Sequence, residues 1–218
     1  MKFRPILFSG EMVQAILAGR KTQTRRLVLP QPKWDPISCH HISKFGCWNY
    51  GRPFISPPDF AQDDWPFHPG DILWVRETWA EMPYGYVYRA DDEKPDGWDA
   101  VDRWKPSIHM PKVAARTFLR VVSVRLEELT GISDADCAAE GIREWFVDDG
   151  FCARYAPQGG NGPAWPLSEC PATPVEAMKK LWDSTIKPDK IGSYCWLVNP
   201  WVWVVEFERC DKPEGWCS

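Results

Sequence analysis

The stretch ILAGRKTQTRR, residues 16–26, decides how the first part of this chain is expected to fold. Its leading apolar residues end a short helical pattern over residues 11–18, and Gly19 stands where a helix C′ residue is expected. The seven residues that follow, here called the basic segment (residues 20–26), carry four cations and two threonine hydroxyls. Functional side chains often lie on loops held by a rigid scaffold, so the basic segment is the first candidate for chemistry.

Short strands and short helices are predicted beyond this stretch. Ser133 and Thr173 have the residue type and surroundings of N-caps, and the helices they begin run to about residues 140 and 184. Gly141 ends the first of these two helices. Runs rich in β-branched and aromatic residues predict strands at residues 5–8, 26–29, 72–79, 86–90, 107–110, 117–126 and 201–207.

Two segments, 31–69 and 143–172, are rich in proline, glycine and aromatic residues and show little periodicity. Because disordered tracts are poor in aromatic residues, both are predicted to be ordered but irregular insertions. The strands do not alternate with helices in a βαβ rhythm. The prediction is therefore an α+β fold, a single domain over residues 1–218 with a small mixed β-barrel, flanking short helices and two insertions.

The charge balance limits the classes of partner. The chain has 218 residues with 26 lysines and arginines against 30 acidic residues, a formal net charge of −4. It is therefore not a general polyanion binder, and contact with nucleic acid would need a local cationic patch. The sequence shows neither a secretory signal nor an apolar run long enough to span a bilayer, which predicts a cytoplasmic protein that does not enter the membrane.

The eight cysteines do not form a recognisable metal or disulfide pattern. The sequence contains no CxxC pair, and Cys39, His40, His41 and Cys47 are the only cluster with four potential ligands. Zinc ligands usually come in tightly spaced pairs, so reduced structural thiols are predicted and no cofactor is expected. Most of the 14 tryptophans, Trp74 and Trp79 among them, are predicted to lie in the core.

The order of motifs resembles the ASCH family of small PUA-like domains. The motifs are GRKTQTRR at residues 19–26, PGDILWVRE at 69–77, AAEGI at 138–142 and NPWVWVVEF at 199–207. RPILFSG at residues 4–10 and KPSIHMP at 105–111 are further similar to the long ASCH proteins of bacteriophages and prophages. The resemblance implies a PUA-like barrel related to RNA-binding domains.

Within this family, N4-acetylcytidine amidohydrolases carry a similar ILAGRKT segment followed by a second threonine. Their catalytic lysine and threonine fall on Lys21 and Thr24, and their catalytic glutamate falls on Glu140. The resemblance thus implies removal of an acyl group from the exocyclic N4 amine of a modified cytidine. The substrate would be a modified pyrimidine nucleoside or a single-stranded nucleic acid, and the protein is expected to be a monomer.

Elementary chemistry is compatible with those roles. A threonine hydroxyl attacks an amide only when a base takes its proton, and lysine can do so only if its pKa falls toward neutrality. The positive charges of neighbouring arginines would lower the pKa of the lysine. A water activated by the lysine is the alternative to Thr24 as nucleophile. Glu77 is a rival to Glu140 as the assisting carboxylate. The predicted substrate-binding side chains are Arg20, Thr22, Arg25, Arg26, Glu77, Ser107 and His109.

Other interpretations of the same residues stay open at this point. The basic segment could be a solvated turn whose arginines pair with surface carboxylates. Its cations could also hold RNA or DNA phosphate, in a module that binds an unstacked or modified base, or in a ribonuclease. Ser107 and His109 would share one face of a strand, and either could be purely structural.

Overall fold

The fold is described from a computed structural model that covers residues 1–29, 31, 66–91, 101–147, 150, 152–159 and 162–216. Four further short strands in the region 33–53 are described by their backbone alone. The described residues form an α+β fold, as predicted, with short helices packed on both faces of a five-stranded sheet.

The main sheet determines where the candidate site lies. Its strands are β1 (Phe3–Leu7), β2 (Gln23–Leu27), β7 (Ile72–Arg76), β10 (Phe118–Glu128) and β14 (Trp201–Cys210). Their spatial order is β1-β7-β10-β14-β2, with β1 parallel to β7 and every other neighbouring pair antiparallel. The predicted mixture of parallel and antiparallel strands is thus present. Backbone pairing does not join β1 to β2 in the described part, so the sheet is not closed there.

The remaining elements form smaller sheets and short helices around the main sheet. The helices are α1 (Gly10–Leu17), α2 (Asp134–Ala139), α3 (Pro174–Thr185) and α4 (Ile191–Tyr194). The smaller sheets contain β3 (Lys33–Asp35), β4 (His40–Ser43), β5 (Gly46–Asn49), β6 (Arg52–Pro53), β8 (Trp79–Met82), β9 (Gly85–Tyr88), β11 (Ile142–Val147), β12 (Cys152–Gly159) and β13 (Gly162–Pro163).

Strand β14 is apolar on both faces because a separate core covers each of them. Trp203 and Val205 belong to the core that α1 covers, whereas Val202 and Val204 belong to the core under α2 and α3. Successive side chains of a strand point to opposite faces, so both sets are buried at once. This explains why residues 201–207 form a nearly continuous apolar run.

The predicted helix ends are confirmed. Ser133 caps α2 in a capping box with Asp136, and Thr173 caps α3 with its hydroxyl accepting from the Glu176 N–H. The N-cap of α1 is Ser9, for which no prediction was made. Gly19 follows α1 with φ +71, a left-handed conformation that glycine adopts without strain. Trp79 is buried as expected, and Trp74 is partly buried beside the same core.

Two predicted strands are corrected. The strand expected at residues 26–29 is β2, which begins earlier and takes up most of the basic segment. Ser107 to His109 form a 3₁₀ turn rather than a strand, so Ser107 and His109 do not share a strand face. Pro106 begins this turn, and its carbonyl accepts from the His109 N–H at 3.0 Å.

The segment 143–172 is not irregular throughout. Strands β11 and β12 pair along their length as an antiparallel hairpin, and β13 adds a short third strand. Most of the insertion at 31–69 lies outside the described side chains, although its backbone includes a four-stranded sheet. None of the described helices is both long enough and apolar enough to cross a membrane.

Candidate active site

Backbone hydrogen bonds hold the chain in place on both sides of Lys21. The N–H groups of Arg20 and Lys21 both donate to the Ala15 carbonyl, at 2.8 and 3.1 Å, as the chain leaves α1. One residue later, the Thr22 N–H donates to the Ala139 carbonyl at 2.9 Å. The basic segment is therefore held between the end of α1 and the end of α2 rather than forming a solvated turn.

Lys21 and Glu140 form a buried ion pair. Lys21 is 2% exposed and Glu140 is 5% exposed. The Lys21 Nζ atom donates to Glu140 Oε2 at 2.7 Å and also to the Glu140 backbone carbonyl at 2.8 Å. A charge withdrawn from water is tolerated only when it is paired and hydrogen-bonded, and here each partner supplies what the other needs.

Two arginines of β2 complete the surroundings of this pair from opposite faces of the strand. Arg25 donates from Nη1 to Glu140 Oε1 at 3.2 Å, so both carboxylate oxygens of Glu140 are engaged. Arg26 donates from Nη2 to the Leu7 carbonyl at 2.8 Å, and its guanidinium carbon lies 5.2 Å from the centre of the Phe8 ring. Lys21 Nζ lies 5.7 Å from the same ring centre.

Burial lowers the pKa of Lys21 below its usual value, because the protein interior disfavours an ammonium ion. The Glu140 carboxylate acts in the opposite direction, and the charges of Arg26 and Arg25 add to the lowering. The outcome is a lysine that gives up its proton more readily than an exposed one. This is the property that a general base of this type requires.

Thr24 lies on the same face of the sheet as Arg26. Thr24 is paired with Val205 and Arg26 with Trp203, both of which belong to the core covered by α1. Thr24 is buried, and no hydrogen bond joins its hydroxyl to Lys21 in the described part of the chain. The structure thus places Lys21 in contact with Glu140. Thr24 lies on the same face of the sheet as Arg26 and is not hydrogen-bonded to Lys21 in the described part of the chain.

Helix α2 determines where Glu140 lies. Glu140 is the C-cap residue of α2, and Gly141 follows with φ +100. A Cβ atom at Gly141 would lie 3.4 Å from the Ala15 Cβ and 3.7 Å from the Lys21 Cβ. These are ordinary van der Waals distances, so the left-handed φ, rather than a lack of space, is what favours glycine at this position.

A network of charges extends from Arg25 toward the surface. Arg25 Nη2 donates to Glu127 Oε2 at 3.1 Å and lies 3.7 Å from an Asp136 oxygen. Asp136 also accepts from Gln23 Nε2 at 3.1 Å and from Arg125 Nη2 at 3.0 Å. These contacts neutralise Arg25 and fix it against Glu140.

A cavity of about 270 Å³, here called the Glu140 cavity, lies beside the ion pair. Helix α1, the β11–β13 hairpin with the residues after it, and helix α3 form its walls. Its lining residues are Ser9, Glu11, Met12, Ala15, Glu140, Gly141, Pro157, Ala164, Trp165, Leu181, Ser184 and Thr185. A second cavity of about 220 Å³ has Lys21 and Thr22 in its wall. The Lys21–Glu140 pair thus borders two cavities.

The other predicted binding residues are distributed unevenly. Arg20 is partly buried and donates from Nη1 to Gln158 Oε1, and Thr22 is exposed in the wall of the second cavity. Ser107 and His109 lie on the 3₁₀ turn, where the Ile108 carbonyl accepts from Arg76 Nη2. No hydrogen bond or ion pair connects Ser107 or His109 to Lys21 or Glu140 within the described ranges.

Glu77, the rival carboxylate, belongs to a different buried cluster. Arg116 donates from Nε and Nη2 to the two oxygens of Glu77, at 3.0 and 2.9 Å, and also binds Asp91. Burial raises the pKa of Glu77 above its usual value, although Arg116 acts in the opposite direction. Of the two candidate carboxylates, Glu140 is therefore the one in contact with Lys21.

Sequence reasoning missed several residues of the site. Glu127, Arg125 and Asp136 gave no signal because the β2 residues that they contact, Arg25 and Gln23, lie more than 100 positions earlier in the chain. Trp165 lies in the segment predicted to be an irregular insertion. No group of three potential metal ligands occurs among the described residues, and the side chains of Cys39, His40, His41 and Cys47 lie outside them.

Comparison with known proteins gives no match: no protein-family model, no curated protein and no solved structure is significantly similar to this chain.

Proposed function

We propose that this protein is an amidohydrolase that removes an acyl group from the exocyclic N4 amine of a modified cytidine or cytosine. The observation that carries the proposal is the buried Lys21–Glu140 pair, with a 2.7 Å contact, in which Glu140 lines a cavity of about 270 Å³ and Lys21 lines one of about 220 Å³. A lysine with a lowered pKa, a carboxylate in contact with it and an adjacent cavity are the parts that amide hydrolysis needs.

In the proposed reaction the Thr24 hydroxyl oxygen attacks the acyl carbonyl carbon while neutral Lys21 takes the hydroxyl proton. The tetrahedral intermediate then collapses, the bond between the acyl carbon and N4 breaks, and N4 receives the proton from Lys21. Lys21 then deprotonates a water, whose oxygen attacks the ester carbonyl carbon; the bond between the acyl carbon and the Thr24 oxygen breaks, that oxygen takes the proton back from Lys21, and the carboxylic acid leaves. A water activated by Lys21 can replace Thr24 in the first step, and this route needs no contact between Thr24 and the pair.

Glu140 has two roles in this scheme. Its carboxylate, fixed by Arg25, holds the Lys21 amine in place through a hydrogen bond. It also stabilises the ammonium that forms when Lys21 takes a proton, in a site where burial alone would oppose that charge. The nearby guanidinium of Arg26 supplies positive charge on the Thr24 face, where an oxyanion would develop.

We further propose that the chain is an ASCH protein with a PUA-like barrel. The mixed five-stranded sheet supports this architecture, because the Arg26 side chain of edge strand β2 donates to the Leu7 carbonyl at the end of the other edge strand, β1. A side chain can make that contact only if the sheet curves far enough to bring its two edges together.

Binding of nucleic acid without reaction is the alternative, and the state of the cations argues against it. Lys21 and Arg25 are buried and bound to carboxylates, and Arg26 is bound to a backbone carbonyl. A phosphate-binding patch needs cations that face the solvent, and the proposed hydrolytic role does not.

The test is incubation of the purified protein with N4-acetylcytidine, followed by chromatography for cytidine. The wild type should form cytidine, and Glu140→Gln should lower the rate about 10²- to 10⁴-fold. Glu81→Gln is the matched control, because Glu81 is exposed in a surface pair with Lys105. If the wild type forms no cytidine but binds labelled single-stranded RNA or DNA, the function is nucleic-acid binding without reaction, and the amidohydrolase proposal is wrong.

A further inference from the structure

We propose that the Glu140 cavity binds the base of the substrate against the Trp165 ring, and that Glu11 at its opening selects against ligands that carry phosphate. This inference rests on the proposed function, because it takes the hydrolysed molecule to be an N4-acylated cytosine derivative. It assigns substrate selection to side chains from α1 and from the residues that follow the β11–β13 hairpin.

The size of the cavity limits the ligand. Cavities that hold drug-sized molecules usually measure about 300–1,000 Å³. The Glu140 cavity, at about 270 Å³, is just below that range and suits a base or a nucleoside rather than a nucleic-acid strand. Met12, Ala15 and Leu181 make much of its wall apolar, which favours a flat, uncharged ring system.

Trp165 is held in place from outside the cavity. The Lys180 ammonium lies 4.6 Å from the centre of the Trp165 ring, and the Glu169 carbonyl accepts from Lys180 Nζ at 2.9 Å. Glu169 also pairs with Lys180 through its carboxylate at 3.4 Å. Trp165 also packs against the core under α2 and α3, which orients its ring and makes it a suitable stacking surface for a base.

The backbone fixes this wall as well. The Ala164 N–H donates to the Pro157 carbonyl at 2.8 Å, next to Trp165. Gly159 approaches so closely that a Cβ there would lie 2.8 Å from the Ala164 Cα. Because Pro157, Ala164 and Trp165 all line the cavity, the hairpin and the segment after it form one rigid side of it.

The charges around the cavity are unfavourable for phosphate. Glu11 is exposed and lines both the Glu140 cavity and a neighbouring cavity of about 400 Å³. Glu140, the other carboxylate in the wall, is already paired with Lys21 and Arg25, so the negative charge of the lining comes from Glu11, and no lysine or arginine is among the lining residues. Arg89 lines the neighbouring cavity but not the Glu140 cavity, so a phosphate group held within the Glu140 cavity would meet the charge of Glu11 without a cation in the lining to offset it.

The test is isothermal titration with N4-methylcytidine, a probe that carries no amide and so is not consumed. The wild type should bind it, Trp165→Ala should weaken binding about 10- to 100-fold, and Trp165→Phe should retain most of it. Trp104→Ala, which removes a partly exposed tryptophan outside the cavity, should leave binding unchanged. Thermal unfolding of each variant shows whether the change in binding reflects a loss of folded protein.

The role of Glu11 is tested with N4-methylcytidine 5′-monophosphate. This ligand should bind the wild type at least about tenfold more weakly than the nucleoside, and Glu11→Gln should reduce that difference. Unchanged affinity in Trp165→Ala, or equal affinity for the two ligands in the wild type, would overturn the inference even if N4-acetylcytidine is hydrolysed. Binding that depends on Trp165 without hydrolysis of N4-acetylcytidine would uphold the inference and remove the proposed reaction.

Discussion

Lys21 and Glu140 are 119 residues apart in sequence, and the Nζ atom of one lies 2.7 Å from the carboxylate of the other. The contact joins the segment between α1 and β2 to the C-cap of α2, and these two helices cover the two different cores that flank the sheet. Removing one partner leaves a buried charge with less compensation, which typically costs about 3–5 kcal/mol. The same contact therefore supports the fold and supplies the proposed base.

The rate should depend on pH through Lys21. Only the neutral amine accepts a proton, so kcat/KM for N4-acetylcytidine should rise as Lys21 loses its proton. Because burial lowers the pKa of Lys21 below its usual 10.5, this rise should occur below that pH. Lys21→Arg should be inactive throughout, since its guanidinium stays protonated. A pH profile of kcat/KM measures this, and a rate independent of pH would contradict the assignment.

Thr24 variants distinguish the two nucleophiles. If the Thr24 oxygen attacks, Thr24→Ala should lose almost all activity, whereas Thr24→Ser should retain a substantial part because its hydroxyl remains. If water attacks, both variants should stay active. Mass spectrometry of the quenched wild-type reaction adds a direct observation, since the threonine route predicts an acetyl group on the peptide that contains Thr24.

Glu77 should matter for stability and not for the reaction. Glu77→Gln removes the charge that pairs with Arg116, and we expect a loss of about 3 kcal/mol in the free energy of unfolding, measured by urea denaturation. At a temperature where the variant is folded, its kcat should match that of the wild type. If Glu77→Gln loses as much activity as Glu140→Gln, the assisting carboxylate is assigned to the wrong residue.

Asp136 should stabilise the protein in a way that depends on pH. Burial acts to raise the pKa of Asp136, but hydrogen bonds from Ser133 and Gln23 and the charge of Arg25 lower it to about 2. The folded state therefore favours the carboxylate, which contributes about 2 kcal/mol above pH 4. This contribution should disappear as the pH falls from about 4 to about 2.

The matching measurement compares the free energies of unfolding of the wild type and Asp136→Asn between pH 2 and pH 7. The difference should be largest near neutrality and smallest at the acid end. Asp134→Asn, in the exposed first turn of the same helix, is the control and should change stability little. A difference that stays constant with pH would contradict the explanation for Asp136.

Local sequence signals predicted the local structure well. The helix ends lie where the residue types indicated: two begin at the caps Ser133 and Thr173, and two end at Gly19 and Gly141. A cap depends only on neighbours within a few residues, so the local sequence is enough to predict it. The apolar run of β14 likewise identified the strand that both cores cover.

Structure that depends on contacts between residues far apart in sequence was not predicted. Residues 23–26 are polar and were expected to lie mostly in a loop, yet they form β2, since Glu140, Glu127 and Asp136 compensate the buried charge of Arg25. Tertiary contacts outweighed local propensity there. The resemblance, rather than periodicity, suggested that Lys21 and Glu140 belong together, and their contact agrees with it.

If Lys21 is the base of an N4-acylcytidine amidohydrolase, removing its amine should abolish hydrolysis while loss of another lysine should not. The kcat/KM for N4-acetylcytidine is measured for the wild type, for Lys21→Ala and for Lys179→Ala, an exposed lysine on α3. We expect kcat/KM to fall about 10²- to 10⁴-fold in Lys21→Ala and to match the wild type in Lys179→Ala. A folded Lys21→Ala protein that hydrolyses N4-acetylcytidine as fast as the wild type would contradict the assignment of Lys21 as the base.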